Sequence, residues 1–203
     1  MSKKIKKTLL FGLSALCAIA FFSCSDPVLT PKPRTYPRIE FPTVREYKPF
    51  DANYCNFTFD QPAYTTVVQD TSFFGERPEH ACWFDVYYPM FNGRVHFSYK
   101  TIKSSADFEK MLGDAHQLTG KHTIKADGID EIAIKNKNGI GGIVFDVQGN
   151  VASPFQFYLT DSTRHFVRGA LYFKAKADAD SLRPVIEYVK TDMMRMVESF
   201  KWR

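Results

Sequence analysis

The stretch that decides the fold is Cys82-Trp83-Phe84-Asp85-Val86-Tyr87-Tyr88, followed by Pro89-Met90-Phe91-Asn92-Gly93 and then Arg94-Val95-His96-Phe97-Ser98-Tyr99-Lys100. The first seven residues are rich in aromatic and β-branched side chains, and the last seven alternate strictly. Val95, Phe97 and Tyr99 therefore share one face of a strand, and Asn92-Gly93 supplies the turn. A β-hairpin with a five-residue connection containing Pro89 is expected here.

Downstream of the hairpin the period changes. Ser104 is placed to cap a helix, with Asp107 three residues on. Phe108, Met111, Leu112, Ala115 and Leu118 then form an apolar stripe that Gly120 ends. Four strands are expected next in meander order, at 131–135, 140–147, 153–159 and 165–173. Asn138-Gly139, Gln148-Gly149-Asn150 and Asp161-Ser162 are the turns between them. A last helix is expected from a Ser181 cap to about Phe200. Leu182, Val185, Val189, Met193, Met196, Val197 and Phe200 recur on it near 3.6, with Pro184 in the tolerated first turn. Hairpin, helix, meander and helix together predict an α+β fold, a mostly antiparallel sheet packed with two helices.

Upstream of the hairpin the chain is less regular. A short strand is expected at 56–59, and 60–81 reads as loop with Pro62, Gly75 and Pro78 as breakers. Residues 25–50 hold six of the eleven prolines, which favours extended backbone and a tether. Tyr36, Ile39, Phe41, Val44 and Tyr47 are too apolar for a pure spacer, so the tether is expected to lie along the domain or a partner. Lys3, Lys4, Lys6 and Lys7 precede an apolar run from Leu9 to Phe22, too short for an ordinary membrane span and laid out as a secretory signal. Cys24 after Ser23 resembles a bacterial lipobox, with Phe21 where leucine is usual. Diacylglycerol and acyl chains such as palmitate are expected on Cys24 after cleavage. The expected organisation is a signal over 1–23, an anchor and Pro-rich tether over 24–50, and one globular domain over 51–203.

The formal charge of +5 is a property of the signal. Without its four lysines, 23 basic side chains face 22 acidic ones, which leaves no electrostatic footprint for nucleic acid. Cys55 and Cys82 remain in the exported part. They are expected to pair in an oxidising compartment, the alternative being two buried free thiols.

Motifs with chemical content are few. The five histidines show no metal-ligand spacing, Asn138-Gly139-Ile140-Gly141-Gly142 lacks the ending and the helix of a phosphate loop, and Asp178-Ala179-Asp180 lacks the other ligands of a calcium loop. No cofactor is expected. Asp161, Ser162, Arg164 and His165 form a polar cluster between two aromatic strands. It is either an acid–base pair with a nearby hydroxyl or a turn that bonds its own backbone.

Four runs carry a resemblance: PKPRTYPRI at 31–39, CWFDVYYP at 82–89, FQFYLTDSTRHFVRGALYF at 155–173 and ESFKW at 198–202. With them the chain resembles, over nearly its whole exported length, the gliding-motility lipoprotein GldD family of Bacteroidota. The resemblance implies a lipid site at Cys24, with Cys55 and Cys82 at the family's other cysteine positions. It implies a non-enzymatic accessory lipoprotein of the gliding and linked type IX secretion machinery, with other envelope proteins of that machinery as partners. Pro31, Lys32, Pro33 and Arg34, with the polar cluster, are the expected contact residues. An acylated Cys24 would hold the chain in the cell envelope facing the periplasm, at the outer membrane in preference to the inner. The alternative function is a periplasmic small-ligand or lipid-binding module with an aromatic pocket. More loosely, the sheet-plus-terminal-helix order resembles the Mog1/PsbP-like fold.

Overall fold

The computed structural model describes residues 38–72, 77–174 and 179–203. The chain divides into two units, Met1–Ile39 and Glu40–Arg203. The Glu40–Arg203 unit contains, in chain order, β1 (Tyr47–Pro49), β2 (Phe57–Thr58), β3 (Asp60–Pro62), β4 (Thr66–Gln69), β5 (Trp83–Tyr88) and β6 (Gly93–Thr101). There follow α1 (Ser105–Gly120), β7 (Ala126–Lys135), β8 (Gly141–Gly149), β9 (Phe155–Thr160), β10 (His165–Phe173), α2 (Ala179–Ser199) and β11 (Lys201–Trp202). The class is α+β.

One seven-stranded antiparallel sheet, ordered β4-β5-β6-β10-β9-β8-β7, organises the unit. The expected hairpin is β5–β6 and the expected meander is β7 to β10. They join where β10 lies against β6, from His165 opposite Thr101 to Phe173 opposite Gly93. The hairpin connection tightens into a 3₁₀ turn over Pro89–Phe91, closed by Asn92 in the left-handed region at φ 47°.

Alternation assigns each residue to a face. Phe84, Val86, Val95, Phe97, Tyr99, Phe157, Leu159, Val167 and Leu171 point to one side and are all buried. Phe50, Phe57 and Phe59 cover the hairpin end of that face. Phe50 stacks on Phe59 at 4.7 Å and on Phe84 at 4.6 Å between centroids, and Phe84 stacks on Phe97 at 4.8 Å. Such offset ring pairs add about 0.5–1.5 kcal/mol each beyond the area they bury. On α2, Val185, Val189, Met193, Met196 and Val197 are buried, as its 3.6 period predicts. The opposite face carries α1. Met111 and Ala115, with Phe108 and Leu112 beside them, pack on Phe145, Val147, Tyr158 and Phe166. Ser104 caps α1 by accepting the Asp107 N–H at 3.2 Å, and Asp107 accepts the Lys103 N–H in return.

Three expectations change. Residues 60–81 are not all loop. β3 pairs with β1, and β4 forms an edge of the main sheet, because Pro62 ends a strand rather than interrupting one. Residues 40–50, expected in the tether, belong to the compact unit, since β1 is paired and Phe50 is in the aromatic stack. Helix α2 already includes Ala179, so Ser181 lies within it and Pro184 falls inside the helix. The asparagines of the β7–β8 turn do more than turn the chain. Asn136 Nδ2 donates to the Val197 and Phe200 carbonyls at 2.9 and 2.8 Å, and Asn138 Nδ2 donates to Phe200 O at 2.7 Å. They satisfy carbonyls that the end of α2 leaves open.

Cys55 and Cys82 are disulfide-bonded, both buried, and join the Phe57 segment to the start of β5. With a sequence separation of 27, loop closure gives about 3.5 kcal/mol in the chain-entropy model.

Gly169 of β10 lies opposite both Phe97 and Phe157, and a Cβ there would approach Phe157 Cζ to 2.3 Å. Gly169→Ala is expected to destabilise the unit by about 1–3 kcal/mol through overpacking, read as a lower denaturant midpoint with an unchanged slope.

Candidate functional site

The polar cluster between β9 and β10 is a self-bonded turn. Asp161 Oδ1 accepts the N–H groups of Thr163, Arg164 and His165 at 3.0, 2.8 and 2.9 Å. Partial burial raises the Asp161 pKa, but these three donors more than offset it and hold the carboxyl below its ordinary value. Ser162 sits at φ 62°, and its N–H goes to Thr160 Oγ1 at 2.9 Å. The His165 ring turns to the Tyr99 hydroxyl, 2.6 Å from Nδ1, and lies 4.9 Å from the Trp202 ring. Asp161 therefore bonds the backbone of His165 and not its imidazole, so the two side chains do not converge as an acid–base pair. Cys24, Pro31, Lys32, Pro33 and Arg34 lie outside the described residues, as does Asp178.

Other histidine rings also have partners within the fold. His96 Nδ1 is 2.9 Å from Asp85 Oδ1, and His116 Nδ1 is 3.3 Å from Glu131 Oε1. Among the described residues no three His, Cys, Asp or Glu side chains gather as metal ligands.

Two charged residues that were not singled out in the sequence occupy interior positions. The first is Asp192, buried on the core face of α2. Tyr47 donates to Oδ1 at 2.9 Å, Tyr64 donates to Oδ2, and the Arg45 guanidinium stands 3.8 Å from Oδ1. Burial pushes the Asp192 carboxyl above its ordinary value, against the opposing pull of the two hydroxyls and Arg45. Burial and the same carboxylate push Tyr47 up to about 12 and Tyr64 further still. This hub fastens residues 45–64 to α2. It was visible in the sequence as a carboxylate three residues after Val189, on the apolar stripe.

The second is Arg168, on the face of β10 that carries α1. That helix covers β8, β9 and part of β10, and beside it a groove of about 670 Å³ opens over β5, β6 and β10. Trp83, Met111, Leu118, Phe166 and Tyr172 contribute its apolar walls, and Arg168 lines it among them. Arg94 and His96 both contact Asp85 at 2.9 Å on the rim. Burial lowers the Arg168 pKa, with Tyr172 beside it acting in the opposite direction.

A third feature lies at the surface. Phe41, Phe91 and Tyr188 form a ring cluster, with centroids 5.6, 4.8 and 5.6 Å apart, and Arg45 lies 3.9 Å over Tyr188. Val44 and Met90, next to these residues in sequence, are 64% and 55% exposed.

Asp192→Ala is expected to cost about 3 kcal/mol, since it leaves two tyrosine hydroxyls and Arg45 without their acceptor. Hydrogen exchange at 47–49 should accelerate with it. The pH dependence has a definite sign. The folded pKa of Asp192 exceeds the unfolded 3.8, so the folded state binds the extra proton between those values. The stability this group contributes is full below the unfolded pKa and is lost as pH rises through the folded one. On acidification from neutral pH, wild type should therefore gain relative to Asp192→Asn in parallel denaturation series.

Comparison with known proteins places these features in a family. A solution structure of cyanobacterial PsbP from Synechocystis sp. PCC 6803 aligns with 79% of this chain and 94% of its own, at 11% identity and a TM-score of 0.46. No curated protein matches the chain. The family described as gliding motility lipoprotein GldD matches residues 26–202, which takes in both cysteines of the disulfide, the Asp192 hub and the groove. The chain belongs to the gliding motility lipoprotein GldD family.

Proposed function

We propose that this gliding-associated envelope lipoprotein is a non-enzymatic accessory factor that works by protein–protein contact. In this reading Cys24 carries diacylglycerol and acyl chains, and each buried methylene adds about 0.8 kcal/mol, so several chains anchor far more firmly than one. The anchored body faces the periplasm, from the outer membrane in preference to the inner. Tethering raises its effective concentration near membrane-bound partners of the gliding and linked type IX secretion machinery.

The observation that carries the contact reading is the surface cluster of Phe41, Phe91 and Tyr188 beside exposed Val44 and Met90. Aromatic and methionine side chains gathered at a surface are typical of the centres of protein interfaces. In this reading Pro31, Lys32, Pro33 and Arg34 are further contact residues.

The test is a crosslinked pull-down from cells carrying tagged wild type, Cys24→Ala, or the pair Val44→Asp and Met90→Asp. Wild type should recover subunits of the gliding or secretion machinery, with both other forms recovering several-fold less. Undiminished recovery and motility with Cys24→Ala would remove the tether from the mechanism. Undiminished recovery with the surface pair would remove the cluster from it.

A further inference from the structure

Among the described residues, stacked phenylalanines fill the hairpin end of the aromatic face of the sheet. The groove of about 670 Å³ is on the other face, and it contains a cation prepared for a partner. The Arg168 guanidinium donates through Nη2 to Gln156 Oε1. Gln156 is buried and held in turn. Its Nε2 donates to the Ser153 carbonyl at 3.4 Å, and the buried Thr119 hydroxyl of α1 stands 3.3 Å from Oε1. An amide oxygen orients the guanidinium without neutralising it. Asp70, Asp85 and Asp114 also line the groove, but among the described residues no carboxylate is within ion-pair range of Arg168, and Asp85 is engaged by Arg94 and His96.

A half-buried arginine with no ion-pair partner among the described residues, fixed by a buried amide beside apolar side chains, has the form of an anion subsite in a groove of mixed polar and apolar lining. The planar guanidinium presents paired N–H donors that match a carboxylate. A groove of about 670 Å³ suits a compound of a few hundred daltons rather than a bare ion. We infer that the groove between α1 and the β5–β6–β10 face binds a small amphipathic carboxylate. Its acid group meets Arg168, and its apolar body lies against Trp83, Leu118 and Phe166. This site is separate from the surface cluster assigned to protein contact, and the two succeed or fail independently.

Calorimetry on the full-length acylated protein in nanodiscs of uncharged lipid tests the assignment, with naphthylacetate, its neutral amide, inorganic phosphate and a free-acid Ala-Ala-Phe tripeptide as probes. Naphthylacetate should bind, and the amide about tenfold more weakly or worse, the usual effect of losing a charge-assisted pair. Arg168→Met should abolish that preference and Arg168→Lys should retain part of it. Leu118→Glu, at a residue 40% exposed and so tolerant of change, should weaken naphthylacetate binding whatever the fate of the arginine variants. Equal affinity for acid and amide, a preference that survives Arg168→Met, or no binding of naphthylacetate would overturn the proposal. Phosphate binding as well as naphthylacetate would reduce the site to a bare anion contact. Tighter binding of the tripeptide would transfer it to the C-terminus of a protein partner.

Discussion

The ladder between β6 and β10 is the constraint from which the rest of the unit follows. It unites a hairpin and a meander into one sheet, with each of nine residues of β6 opposite one of β10. Their alternation must therefore agree, since a slip of one residue would exchange the faces of either strand. With β6 and β10 adjacent in mid-sheet, the chain leaving β6 has to reach β7 at the far edge, past β10, β9 and β8. Helix α1 makes that passage and comes to lie over those strands. A helix is about 10 Å across and strands are about 4.8 Å apart, so it covers two or three of them. The hairpin half of that face stays open, and the groove is the result.

The other face is closed by several elements together. Helix α2 covers part of it, and the Phe50, Phe57 and Phe59 segment covers the remainder, tied by the disulfide to the strand it packs on. The closure includes a buried carboxylate. Asp192 is tolerated because two tyrosine hydroxyls and an arginine come from residues 45–64, far from it in the chain. A buried charge with such partners adds little net stability, but it disfavours any arrangement in which that segment is elsewhere.

The two faces differ in what they offer a partner. The packed face gives a solid body for a membrane-anchored lipoprotein, with the half-buried Phe41 cluster beside exposed Val44 and Met90. The open face leaves a concave site whose floor is a strand of the sheet, fixed in position by pairing on both sides. The near balance of charge outside residues 1–23 agrees with both proposed roles, because neither needs a strong overall field.

Most of the local structure was legible in the residues. Alternation marked β6, aromatic and β-branched residues marked β5, the 3.6 period marked both helices, Ser104 marked the start of α1, and Asn138-Gly139 marked a turn. What failed locally were short segments without a period of their own, such as β1 and β3, whose pairing depends on each other and on α2. The polar cluster at 161–165 attracted notice because of its residue types, yet its bonds are to its own backbone. Arg168 looked like an ordinary charge within a patterned strand, and Asp192 was marked only by its place on the apolar stripe of α2. The sequence by itself determined the periods, turns, caps, lipobox-like signal and family-like runs, because each of these depends on residues a few positions apart. Only the tertiary structure decided that β10 lies beside β6, that Asp192 meets Tyr47 and Tyr64, and that Arg168 faces an open groove. Those are meetings between distant segments, chosen by the joint burial of whole faces and marked by no local spacing.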